Sequence, residues 1–215
     1  MSLKKIFSIF MVLVLAFSLI SCGEDKGDGG EGGGDTPAAE VDLVLPADFA
    51  GLGAGVPSYI TTVGQADLAL ALGVLKRIPA ASEVQSSSDL EAADVVAEGV
   101  KPLVLLVVGG SGKGLGGAGV SVASETQRAA DFVTAAAEGK ISLVVLHIGG
   151  QGRRGENTDP ILDVACPGAD LLIVIEGGNA DGYFTTSSKE NNVPLYLYSG
   201  LGKLVDPFTV LYTAK

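Results

Sequence analysis

Three glycine clusters hold most of the residues in this chain whose types and spacing could do chemistry. V-V-G-G-S-G-K-G-L-G-G-A-G, residues 107 to 119, packs seven glycines around Lys113. A second cluster runs from His147 through Gly149, Gly150, Arg153 and Arg154 to Gly155, and a third is Glu176-Gly177-Gly178-Asn179. Glycine lets backbone come close to a ligand. Lys113, Arg153 and Arg154 stand out on an acidic chain, so the expected ligand is a small anion. The lining would be Gly109, Gly110, Ser111, Gly149, Gly150, Gly177, Gly178 and Asn179. His147, the only histidine, is the one side chain poised by type for general acid–base work, with Glu176 as partner. A strand-end histidine bonded to backbone is the plainer reading, and Glu176 paired to Arg153 or Arg154 is the plainer reading of that carboxylate.

Named nucleotide motifs fit less well. A Walker A loop needs Ser or Thr after its lysine, whereas Gly114 follows Lys113. G-x-G-x-x-G occurs at Gly112/Gly114/Gly117 and Gly114/Gly116/Gly119, but 31 glycines make chance matches easy, and the expected helix starts several residues later, near Ser124. Gly150/Gly152/Gly155 with Glu176 further on has the spacing of a dinucleotide fingerprint. The helix behind it is short, and two arginines stand where close packing is wanted. Ser111 lacks the spacing of a nucleophile elbow. Asp181 in Asn-Ala-Asp-Gly reads equally as part of a turn. Flavin rests on fold analogy alone, with Tyr183 and Phe184 the nearest aromatics, so the cofactor is left unassigned. One histidine and two cysteines offer no zinc set. Cys166 reads as a small buried hydrophobe.

The elements that would position these groups follow from apolar runs at Tyr59 to Val63, Leu103 to Val108, Leu143 to Ile148, Leu171 to Ile175 and Leu195 to Tyr198. Each is continuous and rich in Val, Ile and Leu, the pattern of a parallel strand covered on both faces. Glu83 to Gln85 would add a short strand and Asp89 to Val96 a short helix. Helices are expected over Gln65 to Arg77, from a capping box at Ser124 to Glu138, and after Asp159-Pro160 and Asp206-Pro207 with the aspartates as caps. Alternating strands and helices predict an α/β three-layer sandwich with a mostly parallel sheet of five or six strands, flavodoxin-like or in another Rossmann-like order. The three glycine clusters would then line the carboxyl edge of the sheet, where such folds bind ligands.

Ahead of this domain, expected over residues 57–215, lie Lys4-Lys5, fifteen mostly apolar residues from Ile6 to Ile20, and Ser21-Cys22. This reads as a secretory signal over residues 1–21. Leu19-Ile20-Ser21-Cys22 is similar to the lipobox of bacterial lipoproteins, whose cysteine is acylated. Residues 22–56 would be the acylated Cys22, an acidic glycine-rich tether and a lead-in. Residues 23–42 carry seven acids and one lysine. Without Lys4 and Lys5 the formal charge moves from −11 to −13, and the tether takes −6, leaving −7 on residues 43–215. That sign disfavours nucleic acid. The expected location is extracytoplasmic, on a membrane through lipid at Cys22, with the oligomeric state left open.

V-V-G-G-S-G-K-G-L-G-G-A-G, H-I-G-G-Q-G-R-R-G and I-V-I-E-G-G-N-A-D-G, in that order, resemble a family of bacterial secreted proteins and lipoproteins known as a domain of unknown function. The resemblance spans roughly residues 57 to 212 and implies a flavodoxin-like or Rossmann-like domain with no catalytic residues to carry over. Three readings follow: a tethered domain binding a small anion, an extracytoplasmic enzyme using His147 and Glu176, or a module whose loops pack on a partner protein. Backbone donors and cations, with no recognisable nucleophile, metal set or acid pair, favour binding.

Overall fold

Each of the five apolar runs expected as strands becomes one. The computed structural model describes residues 45–213; the signal segment, Cys22 and the tether lie outside them. The chain runs β1 (Ser58–Val63), α1 (Leu68–Leu75), β2 (Gln85–Ser86), α2 (Ala92–Val95), β3 (Leu103–Val108), α3 (Gly112–Ala118), α4 (Val122–Ala137), β4 (Ser142–His147), α5 (Asp159–Ala165), β5 (Leu171–Ile175), α6 (Tyr183–Asn191), β6 (Leu195–Tyr198) and α7 (Val205–Tyr212). All five strand pairings are parallel, in the order β2-β1-β3-β4-β5-β6. This is the flavodoxin-like order with one strand added at the end.

Alternation along each strand divides the core. Val104, Leu106 and Val108 of β3 face one side with Val145 and Val174, under α2, α4, α5 and α6, where Phe132 and Phe184 fill the space. Leu103, Leu105 and Val107 face the other side with Val144, Leu146 and Ile173, under α1 and α7, where Phe208 and Leu211 pack. Strands so covered have no polar face, which is why β3 and β5 are uninterrupted Val, Leu and Ile. Ile148, just past β4, is also buried. The lead-in belongs to this second face: Leu45 is buried there, and the Gly51 and Gly53 amides donate to the carbonyls of Val210 and Leu211 in α7 at 2.9 and 2.8 Å.

Several helix starts differ from expectation, each for a local reason. α1 begins at Leu68, not Gln65, because Gln65 and Asp67 both hold left-handed backbone, with φ of 61° and 66°. α4 begins one turn before Ser124: Ser121 is the cap, and the reciprocal partner in its box is Ser124. Thr158 precedes α5, so Asp159 is its first residue and not its cap. Asp206 and Pro207 likewise lie inside α7. The second strand sits at Gln85–Ser86, two residues past its expected start.

The largest difference falls in the first glycine cluster. Gly112–Ala118 is a helix, α3, directly behind Ser111, whose hydroxyl accepts from the Gly114 amide at 3.2 Å. Four of its seven residues are glycine, about 1 kcal/mol each less favourable than alanine in a helix interior. A composition that reads as loop hides a helix held by its serine cap, by Gly119 in the left-handed region after its end (φ 69°), and by buried Leu115.

Candidate functional site

The order of the sheet reverses direction between β1 and β3, so the crevice beyond their carboxyl ends is where this architecture admits ligands. The loops after β1, β3 and β4 meet there, and they fill much of it themselves. Gly109 donates to the Val63 carbonyl at 3.1 Å and Ser111 to that of Gly64 at 3.1 Å. The Gly110 amide donates to the Thr158 hydroxyl at 2.7 Å. A Cβ on Gly110 would overlap the Asn157 carbonyl, and one on Gly149 would overlap the Arg153 side chain. These glycines allow the protein to approach itself. Gly109, Gly110 and Ser111 therefore hold no spare amides for a phosphate cradle.

A buried ion pair fixes the same corner from below. Glu125 and Arg128, on the first turns of α4, are almost wholly enclosed and bonded to each other through two contacts of 3.1 and 2.8 Å. Glu125 also accepts from the Gly64 amide at 2.7 Å and from Gln65 Nε2 at 3.2 Å, while Arg128 donates to the Thr62 and Leu90 carbonyls. With so many bonds made, the pair holds the loop after β1 in its left-handed turn. Glu125, Arg128, Ala129, Phe132 and Ala135 share the buried stripe of α4. That spacing was readable in the sequence, and two charges on an apolar stripe were its signal.

His147 is fully enclosed. Its Nδ1 lies 3.0 Å from the Val108 carbonyl and its Nε2 3.1 Å from that of Gly150. Phe184 lies against the ring at 5.2 Å, and Gly178 is so close that a Cβ there would strike it. Burial pushes the imidazole pKa down, with the two carbonyls partly opposing. A neutral ring donates to only one of them. Glu176 is exposed at the start of the turn Glu176–Asn179, and among the described hydrogen bonds none joins it to His147, Arg153 or Arg154. The acid–base couple is thus not assembled.

The expected cations separate into different roles. Arg154, 6 % exposed, donates to Asp159 at 2.8 Å, Asp181 at 3.2 Å and the Gly178 carbonyl at 3.0 Å, and lies 4.3 Å over the Tyr183 ring. Burial works against its charge, yet the bonds to Asp159 and Asp181 outweigh it and hold the guanidinium above its usual pKa. It ties the loop after β4 to the loop after β5. Asn179 is likewise occupied: its Oδ1 accepts from the Phe184 and Thr185 amides at 2.9 and 3.2 Å, at the start of α6. Gly178 is buried beneath the loops, whereas Gly177 is exposed with open space at its Cα. Lys113 is exposed on α3.

Arg153 remains at the crevice. It reaches from the loop after β4 to Asp67 after β1, Nε to Oδ1 at 3.1 Å, and is 40 % exposed while the Asp67 side chain is only 4 % exposed. Asp67 was missed in the sequence because a helix read from Gln65 makes it an ordinary surface acid.

Two clefts have no wall formed by Lys113, Arg153 or Arg154. One of about 350 Å³ is lined by Gln65, Asp89, Glu91, Glu125, Arg128 and Asp131. Another of about 430 Å³ lies between α5 and α6, among Asp163, Asp181, Tyr183 and Glu190. Acids outnumber cations in both walls, which disfavours an anion. Among the described residues, no helix is long and apolar enough to cross a membrane. Cys166 is buried, with its thiol pushed up to about 12, mainly by burial.

No curated protein and no solved structure matches the chain. A family model does, over residues 56–212, which covers every strand described above. The chain belongs to the family described as domain of unknown function DUF6305.

Proposed function

We propose that the domain is a binding module, tethered to a membrane through acylated Cys22, that takes a small anion at the carboxyl edge of its sheet. The observation that carries this reading is Arg153: it lies across the crevice between the loops after β1 and β4, anchored to Asp67 through Nε and still 40 % exposed. A guanidinium held at one edge and open at the other is suited to a planar anion. Lys113, exposed on the first turn of α3, adds a second positive charge. The enclosure of His147 between two backbone carbonyls argues against the acid–base alternative.

The reading is tested by melting the full-length protein in detergent with acetate, lactate, phosphate or sulfate at constant ionic strength. At least one anion should raise the melting temperature saturably, and Arg153→Ala should weaken that response about tenfold or more, the worth of one charge-assisted hydrogen bond. No shift with any of them, or an unaffected Arg153→Ala, overturns the anion site. The tether is tested separately: labelled palmitate should enter the wild type and not Cys22→Ser, and the variant should leave the membrane fraction.

A further inference from the structure

The outer face of α1 has no polar cover. Its sequence, L-A-L-A-L-G-V-L, contains no polar side chain. A helix hydrophobic on every side is ordinarily enclosed, and one at a surface ordinarily turns charged residues outward. α1 does neither: Ala71, Val74 and Leu75 are buried against the sheet, while Ala69, Leu70 and Gly73 are exposed, Leu70 at 45 %. Spacings of three and four residues set these three on one stripe. Lys76 and Arg77, both exposed, continue it just past the helix end, and neither forms an ion pair with a described residue. Val96, the other large exposed apolar side chain among the described residues, differs in being flanked in sequence by Asp94 and Glu98.

Two observations say what covers the stripe. One is where the tether arrives. The described chain begins at Leu45, which is buried on the α1 and α7 side of the sheet with Ala71 and Val74, and the 22 residues before it lead back to Cys22. The other is charge. The helices over the opposite side expose Asp94, Asp131, Asp163 and Glu190, which an anionic lipid surface repels, whereas from Leu68 to Ala81 the only charges are Lys76 and Arg77.

We propose that α1 lies on the membrane, with Leu70 entering between lipid headgroups and Lys76 and Arg77 on anionic lipid phosphates. This rests on the tether proposed above and is independent of the anion site. One leucine and two cations bind a bilayer weakly by themselves, each cation being worth about fivefold in affinity near an anionic surface. The lipid at Cys22 supplies the proximity that lets so small a face act. The domain then stands with α4, α5 and α6 turned away from the bilayer.

The experiment places a fluorophore at Ala69→Cys or, on α4, at exposed Thr134→Cys in the full-length acylated protein. Cys166 is buried and does not compete for the label. The protein is reconstituted into vesicles of equal parts phosphatidylcholine and phosphatidylglycerol carrying a quencher on the headgroup. Flotation of the vesicles reports the tether, and quenching reports the face. Position 69 should be quenched about threefold or more above position 134, and Leu70→Ser with Lys76→Ser and Arg77→Ser should bring it down to the level of position 134. Equal quenching at the two positions in protein that floats overturns this proposal and leaves the tether standing. Protein that does not float overturns both. Undiminished quenching in the triple variant overturns it, as does shielding of position 69 in detergent without vesicles that grows with protein concentration alongside a doubled mass, because a second copy then covers the stripe. Should the triple variant fail to fold, the comparison of positions 69 and 134 decides.

Discussion

Arg128 and Glu125 show how a charge becomes structural. Each is enclosed, and each bonds to the other as well as to backbone, Glu125 to the Gly64 amide after β1 and Arg128 to the Thr62 and Leu90 carbonyls. Removing one partner leaves the other charged and dry, at a cost of about 3–5 kcal/mol. Arg128→Ala should therefore lower the denaturant midpoint severely, while replacing both by Met should cost much less; equal losses would contradict this account. His147 makes its own pH-dependent contribution. With its folded pKa below the ordinary value of about 6.5, the unfolded chain binds a proton that the folded chain does not. Stability is then full above about pH 6.5 and falls as the pH drops from there toward the folded pKa, by up to about 1.4 kcal/mol per pH unit. The neighbouring charges, Arg154 and Asp67, oppose each other in their effect on the ring. Denaturant midpoints at pH 7.5 and 5.5 should differ more for the wild type than for His147→Gln.

Among the elements, α3 makes the sharpest contrast. Gly116 and Gly117 have open space where a Cβ would go, and neither holds positive φ. Gly117→Ala should stabilise the protein by about 0.5–1 kcal/mol, a rise of roughly 2–4 °C for each kcal/mol in a domain of this size. Gly110→Ala, forced into the Asn157 carbonyl, should destabilise it; thermal melts of the two variants separate the cases. The same cluster shows where the sequence was legible. Strands buried on both faces announce themselves as unbroken apolar runs, so all five apolar strands and the parallel sheet could be read from those runs. α3 could not, because its signal is a serine cap ahead of glycines that score as loop. The site divides in the same way. That the glycine loops gather at one edge followed from strand ends alone. That Arg154 serves Asp159 and Asp181 while Arg153 serves Asp67 depends on side-chain direction across loops 86 residues apart in the second case, which adjacent arginines in a sequence do not reveal.

For the molecule as a whole, the lead-in and the last helix act as one piece. Leu45 is buried on the α7 face, Gly51 and Gly53 bond to Val210 and Leu211, and a Cβ on Gly53 would collide with Tyr212 and Leu103. A chain begun at residue 57, where the strand pattern starts, should unfold at a lower denaturant concentration than one begun at residue 44, with the same far-ultraviolet signature; equal midpoints would mean that the lead-in contributes nothing. This pairing of first and last residues also orders events in time. The lead-in, made before any strand, has to wait for α7, roughly 160 residues later, to make these bonds. A parallel sheet, whose strands all meet across crossovers, already delays closure. Together they delay closure of the second face of the core until α7 has been made.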